Sequence, residues 1–422
     1  MAEEIPTIQV LDKNNYFSQK LIPLPDAIPY PALGPSSIRL RTAVLGLTVN
    51  NFTYAALGSM LNWWDVHPLP PSTPAPYNDA SKYGRMNAWG YAQVIESTVE
   101  AVPKGSYVWG YVPLGTLAQD LEIRTHEIQN QIFVMSGYRQ HVMPIYNRYF
   151  VYPPSTSCAS EIAAKSPAIA YDVLVRVMHL TAHLMEGFVF SSDTSRVVSG
   201  ASVPDDAAVW THEDADLTDA TVLVLAPGSK VGIAFAKLLR ARTAEQGRPR
   251  RVVGVSSETS KAFVEGTDAY DDVVSTTADP NTIVQGSDEK RVVIFDFGGR
   301  AGVGPRWATA ISSVLPDKSL YVGVGSEIID PATRAARFAA MQAPPPFKTV
   351  RVNADDMGRR AIKQIGEEKY WAEISQSWER LRKEGIKGFG LTWGQGMEDL
   401  AKGWDRLARG DVLPSEGLAF KL

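Results

Sequence analysis

The residues best placed to do chemistry in this chain lie at one turn, Pro227-Gly-Ser-Lys-Val-Gly232. An apolar run, Thr221-Val-Leu-Val-Leu225, precedes it. A helical pattern, Val231–Arg242, follows, and then a second β-branched run, Arg251–Val255. Strand, small-residue turn, helix and strand make the first βαβ unit of a dinucleotide-binding sheet. A helix that starts at such a turn aims free N–H groups and the positive end of its dipole at an anion, typically a pyrophosphate. Gly228, Ser229, Lys230, Val231 and Gly232 are therefore the candidate phosphate-holding residues. The turn departs from G-x-G-x-x-G. Only the last glycine stands in its usual place, and Lys230 adds a cation.

The end of the second strand discriminates between NAD and NADP, because an acid there holds the ribose 2′-OH. Ser256 and Ser257 replace that acid, and Lys261 sits in the first turn of the next helix. This pattern favours NADP(H). Glu258 argues the other way, and the two serines also read as an N-cap pair. Gly298 and Gly299 end a later strand, and Gly323 and Gly325 end another. Glycines at those ends let a ring approach the backbone; ordinary strand-to-helix turns are the alternative. Of the six histidines, His179 and His183 have helical metal-ligand spacing, but no glutamate is placed between them as a base. The one cysteine, Cys158, reads as a buried small residue. No metal is expected, and no Ser-His-Asp arrangement is visible.

Around these residues the pattern changes along the chain. Ser37–Gly46, Ala88–Ser97 and Ser106–Val112 alternate as short strands separated by glycine and proline, as in a small barrel. His67–Asp79 holds five prolines and reads as an exposed loop, either functional or a tolerated insertion. Ser166–Phe190 has helical period, and Ser191–Asp219 reads as a polar connection. Strands at Thr221–Leu225, Arg251–Val255, Asp272–Val274, Arg291–Phe297 and Ser319–Val324 then alternate with helices, as in a parallel sheet covered on both faces. Met357–Leu422 reads as a charged helical tail whose tryptophans pack.

The chain has 422 residues, 45% of them hydrophobic and 21% charged, with a net charge of −4. That balance gives no reason to expect nucleic acid or an anionic membrane as partner. The N-terminus lacks an apolar core, and no apolar run reaches the roughly 20 residues that span a bilayer. A soluble cytoplasmic protein, monomer or homodimer, acting on a small molecule is the expectation.

Together these features resemble the medium-chain dehydrogenase/reductase superfamily, in its zinc-free, quinone-oxidoreductase-like branch. Arg39–Tyr54 is similar to the early strand and Asn-Pro-x-Asp turn of that superfamily, Gly84–Val94 to its Gly-His-Glu segment, and Pro103–Tyr111 to its Gly-Asp-x-Val turn. Asn50–Ala55, Asn62–Asp65, Tyr83–Gly90, Pro144–Tyr149 and Ser229-Lys230 resemble, more narrowly, an uncharacterised bacterial and fungal family catalogued as a domain of unknown function. The resemblance implies an α/β protein. A GroES-like β-barrel lobe (1–165) would precede a Rossmann-type parallel sheet (166–330), and 331–422 would return to the first lobe with a helical C-terminal extension. The zinc ligands of alcohol dehydrogenases have no counterpart. The resemblance further implies Asn51 and Tyr54 as polar residues beside a nicotinamide, with Tyr146 and Asn147 as a second pair. The activity it implies is an NADPH-dependent reduction of an enoyl, quinone or carbonyl group. A redox-inactive relative catalysing isomerisation, cyclisation or elimination, or a non-catalytic NADP(H)-binding protein, is the alternative.

Overall fold

The computed structural model describes residues 5–201, 210–284, 291–325, 327, 329, 330, 332, 333 and 345–422. The N-terminal strands are β1 (Thr7–Asp12), β2 (Asn15–Pro23), β3 (Ser37–Leu47), β4 (Tyr83–Gly84), β5 (Asn87–Ser97), β6 (Tyr107–Pro113), β7 (Gln119–Thr125), β8 (Gln131–Val134) and β9 (Arg148–Tyr152). β3, β5, β6, β9, β8 and β7 bond in that order, and β7 pairs back onto β3, which closes a barrel. β2, β1 and β4 form a small sheet beside it. The proline-rich loop packs Leu69 and Tyr77 against Ile8, Val10 and Ile22 of that small sheet.

The second sheet comprises β10 (Thr221–Leu225), β11 (Arg251–Ser256), β12 (Asp272–Ser275), β13 (Val292–Asp296), β14 (Ser319–Gly323) and β15 (Thr349–Arg351). All its pairings are parallel, and the spatial order is β12-β11-β10-β13-β14-β15. Chain order reverses between β10 and β13, as in doubly wound nucleotide folds. Every residue of β10 and β13 is buried. A strand covered on both faces is apolar through its middle, which is why these segments do not alternate.

The segment after Ser166 is helical, in two parts. Val175 leaves helical geometry and separates Pro167–Leu174 from Arg176–Leu184. One expectation needs correction: the tail is not wholly helical. Between and after the helices Ala354–Ile365, Glu367–Glu384 and Gly396–Arg409 it holds β16 (Gly390–Gln395) and β17 (Glu416–Lys421). β17 pairs with β3, Leu418 opposite Leu47, and β16 extends the edge in parallel. Glycines in both strands, and the exposed positions of β16, hide them from a periodicity reading.

A buried carboxylate ties barrel, helices and tail together. Asp172, 2% exposed, accepts from the Tyr91 hydroxyl at 2.7 Å, the Trp378 indole N–H at 2.9 Å and Arg382 at 3.2 Å. Its backbone carbonyl accepts from the Trp109 indole N–H at 3.1 Å. No helix among the described residues is long and apolar enough to cross a membrane.

Candidate active site

The turn after β10 lies at the switch point of the parallel sheet. Ala226 enters it with φ of 54°. The Tyr270 hydroxyl holds it by donating to the Pro227 carbonyl at 2.7 Å. Ser229 is the N-cap of the helix Lys230–Arg240, and its hydroxyl accepts from the Gly232 N–H at 3.2 Å. That bond satisfies one of the orphan donors of the first turn. The N–H groups of Lys230 and Val231 have no acceptor among the described residues. Gly232 lets helix and strand approach closely. A Cβ there would lie 2.8 Å from the Ser229 hydroxyl and 3.4 Å from the Phe297 ring.

The C-terminal segment closes over this turn. A Cβ on Gly228 would sit 2.9 Å from the Pro414 side chain. The Lys230 ammonium lies 4.9 Å from the centre of the Phe389 ring. Burial lowers its pKa to about 8, against the attraction of Glu416. The turn thus combines two backbone donors with a poorly solvated cation. It fits the charge of a pyrophosphate, while Pro414 narrows the approach over Gly228.

The neighbouring candidates differ in exposure. Ser256 is buried and donates to the Ser257 carbonyl at 3.1 Å. Ser257 is exposed and is the N-cap of helix Glu258–Gly266, without a side-chain capping bond. Lys261 lies one turn into that helix, half-buried. After β13, the Asp296 carboxylate accepts from the N–H groups of Gly298 at 2.8 Å and Gly299 at 2.6 Å, and from the Tyr321 hydroxyl at 2.5 Å. Gly323 ends β14, and a Cβ on Gly325 would meet the Phe297 carbonyl at 2.6 Å. Gly298, with φ of 115°, adopts a backbone that other residues avoid.

On the barrel side the structure brings Tyr54 and Tyr146 together. Their ring centres are 5.9 Å apart, edge to face. Trp63, Trp89 and Tyr111 complete the group, with Tyr54 to Trp63 at 4.8 Å and Tyr54 to Tyr111 at 5.1 Å. The Trp89 indole N–H donates to the Tyr54 oxygen at 3.0 Å. Burial pushes the Tyr54 phenol up to about 12, and bonds from Trp89, Tyr146 and Asn50 oppose the shift. Burial raises Tyr146 and Tyr111 well above the ordinary tyrosine range. At neutral pH these phenols stay protonated, so they donate rather than take protons.

The two asparagines do other work. The Asn51 side chain accepts from the Thr48 N–H at 2.8 Å and donates to the Asn87 carbonyl at 3.0 Å. Asn147 accepts from Arg139 at 2.8 Å and donates to the Arg139 carbonyl at 3.0 Å. The Asn51 amide pins backbone, and the Asn147 amide pins backbone and a buried guanidinium. The sequence reading did not single out Asp355. It follows β15 in the first turn of its helix, with its carboxylate near the Ile145 backbone beside Tyr146. Burial raises its pKa. Only the position just past a strand end, next to a helix start, could have pointed to it.

His179 is buried and bonds Ser377 at 3.0 Å. Burial lowers its pKa to about 3 and also lowers that of His183. Among the described residues no group of three or more metal-ligating side chains is assembled.

This combination of a closed barrel and a doubly wound parallel sheet recurs as a fold in solved structures. Three solved structures share it over nearly their whole length. CurA of Vibrio vulnificus, crystallised in complex with NADPH, matches at 13% identity and a TM-score of 0.53, covering 98% of each chain. The quinone oxidoreductase of Pseudomonas syringae pv. Tomato DC3000 matches at 15% and 0.53, covering 98% of this chain and 99% of that one. The CurF ER cyclopropanase of the curacin A biosynthetic pathway matches at 11% and 0.52, covering 99% of each. No curated protein matches the sequence. The chain belongs to the family described as "Protein of unknown function (DUF2855)", which matches residues 45–413.

Proposed function

We propose that this protein is a zinc-independent, NADPH-dependent reductase of an enoyl, quinone or carbonyl group on a small to medium apolar metabolite in the cytoplasm. The observation that carries the reading is the turn at the switch point of the sheet. It is a helix start with two unused N–H groups and the half-buried Lys230 cation, where a doubly wound fold takes a pyrophosphate. CurA, similar in fold, was crystallised with NADPH, which supports the choice of cofactor. Lys230 and the first-turn N–H groups of the helix would hold the pyrophosphate. Ser256, Ser257 and Lys261 would meet the adenosine ribose and its 2′-phosphate, and the Gly298-Gly299 and Gly323–Gly325 turns would face the nicotinamide. Bound there, the dinucleotide supplies a hydride. The protonated phenols of Tyr54 and Tyr146 supply the hydrogen-bond donor that a developing oxyanion requires. The packed aromatic rings around them exclude water.

Calorimetric titration with NADPH and NADH tests the assignment. NADPH binds more tightly, and Lys261→Ala erodes the preference. Equal affinities overturn the choice of NADP.

A second reading is favoured by Pro414 lying on Gly228 and by the Ser229 hydroxyl occupying one first-turn donor. Both narrow the phosphate site. In that reading the cleft catalyses isomerisation, cyclisation or elimination without net redox. Absence of binding by either dinucleotide decides for it.

A further inference from the structure

Two guanidiniums are buried in the barrel lobe. Arg85 is 1% exposed and Arg139 is fully buried. Neither meets a carboxylate among the described residues. Arg139 is nonetheless well held. It donates to the Asn147 side chain at 2.8 Å and to the Tyr146 carbonyl at 2.5 Å, and it reaches His67 Nε2 at 3.4 Å. Arg85 is not. Its Nη1 makes two long bonds, to the Gln119 side-chain oxygen at 3.3 Å and the Pro68 carbonyl at 3.5 Å. Its Nε and Nη2 are buried without an acceptor. Burial lowers its pKa to about 10, against Tyr138. A buried charge ordinarily has a partner of opposite sign.

His67 extends the pattern. A guanidinium cannot accept a hydrogen bond, so His67 Nε2 accepts from Arg139 and the ring proton sits on Nδ1. That Nδ1 is also buried without a partner. The Gln119 oxygen beside it already accepts from Arg85. Burial and the charges of Arg139 and Arg85 hold the His67 pKa well below the ordinary histidine value, so the ring is neutral. His67 and Gln119 line a cavity of about 10 Å³ inside the barrel, with Thr42, Tyr149 and apolar neighbours such as Leu40. It has room for about one water-sized particle. The three unsatisfied groups of the cluster, Arg85 Nε, Arg85 Nη2 and His67 Nδ1, are all donors. A bound water must also donate, whereas an anion only accepts.

We infer that this cavity holds a single chloride ion, against His67 and in the field of Arg85 and Arg139. A chloride is only slightly larger than a water, and it offsets guanidinium charge that no carboxylate meets. It also ties the start of the proline-rich loop, through His67, to the segment that carries Tyr146 and Asn147, through Arg139. The inference stands apart from the redox reading, since it needs no dinucleotide.

Thermal unfolding of the full chain in sodium chloride and in sodium gluconate, at equal ionic strength, tests it. Chloride raises the midpoint by roughly 2–4 °C, and the effect saturates with concentration. Arg85→Met loses that difference. Ala92→Val, which adds bulk to the cavity wall, loses it as well. Wild-type crystals grown in bromide show an anomalous peak beside His67. If neither variant folds, the wild-type salt comparison and the bromide crystals carry the test. Equal midpoints in the two salts, a chloride effect unchanged in folded Arg85→Met, or an ordered water without bromide beside His67 overturns the proposal.

Discussion

The Trp89 indole N–H donates to the Tyr54 phenol oxygen at 3.0 Å, with both side chains buried. The bond joins the short helix after β3 to β5, and it fixes the direction in which the Tyr54 hydroxyl proton can point. Tyr54→Phe keeps the ring but leaves a buried donor without an acceptor, at a cost of about 1–3 kcal/mol. Urea denaturation measures that loss. Under the reductase reading kcat also falls roughly 10²-fold with NADPH affinity unchanged. An unchanged kcat leaves Tyr54 a packing residue.

The Gly228 turn and Pro414 offer a paired test. Gly228→Ala places a methyl 2.9 Å from Pro414. Overpacking of this kind costs about 1–3 kcal/mol. Pro414→Gly alone removes the obstacle, and the double variant recovers most of the loss. Additive losses in the double-mutant cycle would show that the two positions do not press on each other.

Lys230 makes stability depend on pH. Its folded-state pKa of about 8 lies below its ordinary 10.5 because burial disfavours the charge. Between those values the unfolded chain holds more protons, so stability rises with pH across that window. Below it the penalty is constant. Lys230→Met flattens the rise in denaturation curves measured from pH 7 to 10. An anion at the turn restores the charge, so dinucleotide binding takes up a proton above pH 8. Calorimetry in buffers of different ionisation enthalpy detects it.

Asp172 is predicted to be the most sensitive single position for stability. Asp172→Ala strands the Tyr91, Trp378 and Arg382 donors together, and breaking such a buried network costs about 3–5 kcal/mol. Asp172→Asn keeps the shape and costs less. Equilibrium unfolding ranks the two, and equal losses would mean that the charge itself is what matters.

Much of the fold is legible without coordinates. Thr221–Leu225 and the helix after it announce themselves because a central parallel strand is apolar on both faces and its helix must begin at a small-residue turn. The barrel strands are legible from alternation between turns. β16 and β17 are not, because Gly390, Gly394 and Gly417 interrupt them and β3, with which β17 pairs and on which β16 depends through β17, lies hundreds of residues away. The candidate site divides similarly. Ser229 and Lys230 are readable because their role depends on local chain order.

What the sequence by itself determined was therefore whatever a segment's own periodicity and turn chemistry specify: the βαβ unit, the barrel strands and the small-residue turn that starts the helix. Only the tertiary structure decided what faces that turn and what surrounds each buried polar group. Pro414 and Phe389 arrive at Gly228 and Lys230 from the far end of the chain. The Asp355 charge acts on Tyr146 from beyond the sheet, and the Trp371 N–H is left buried without an acceptor. Local pattern sets an element's type, whereas burial, pKa and hydrogen-bond satisfaction depend on neighbours that are close only in space.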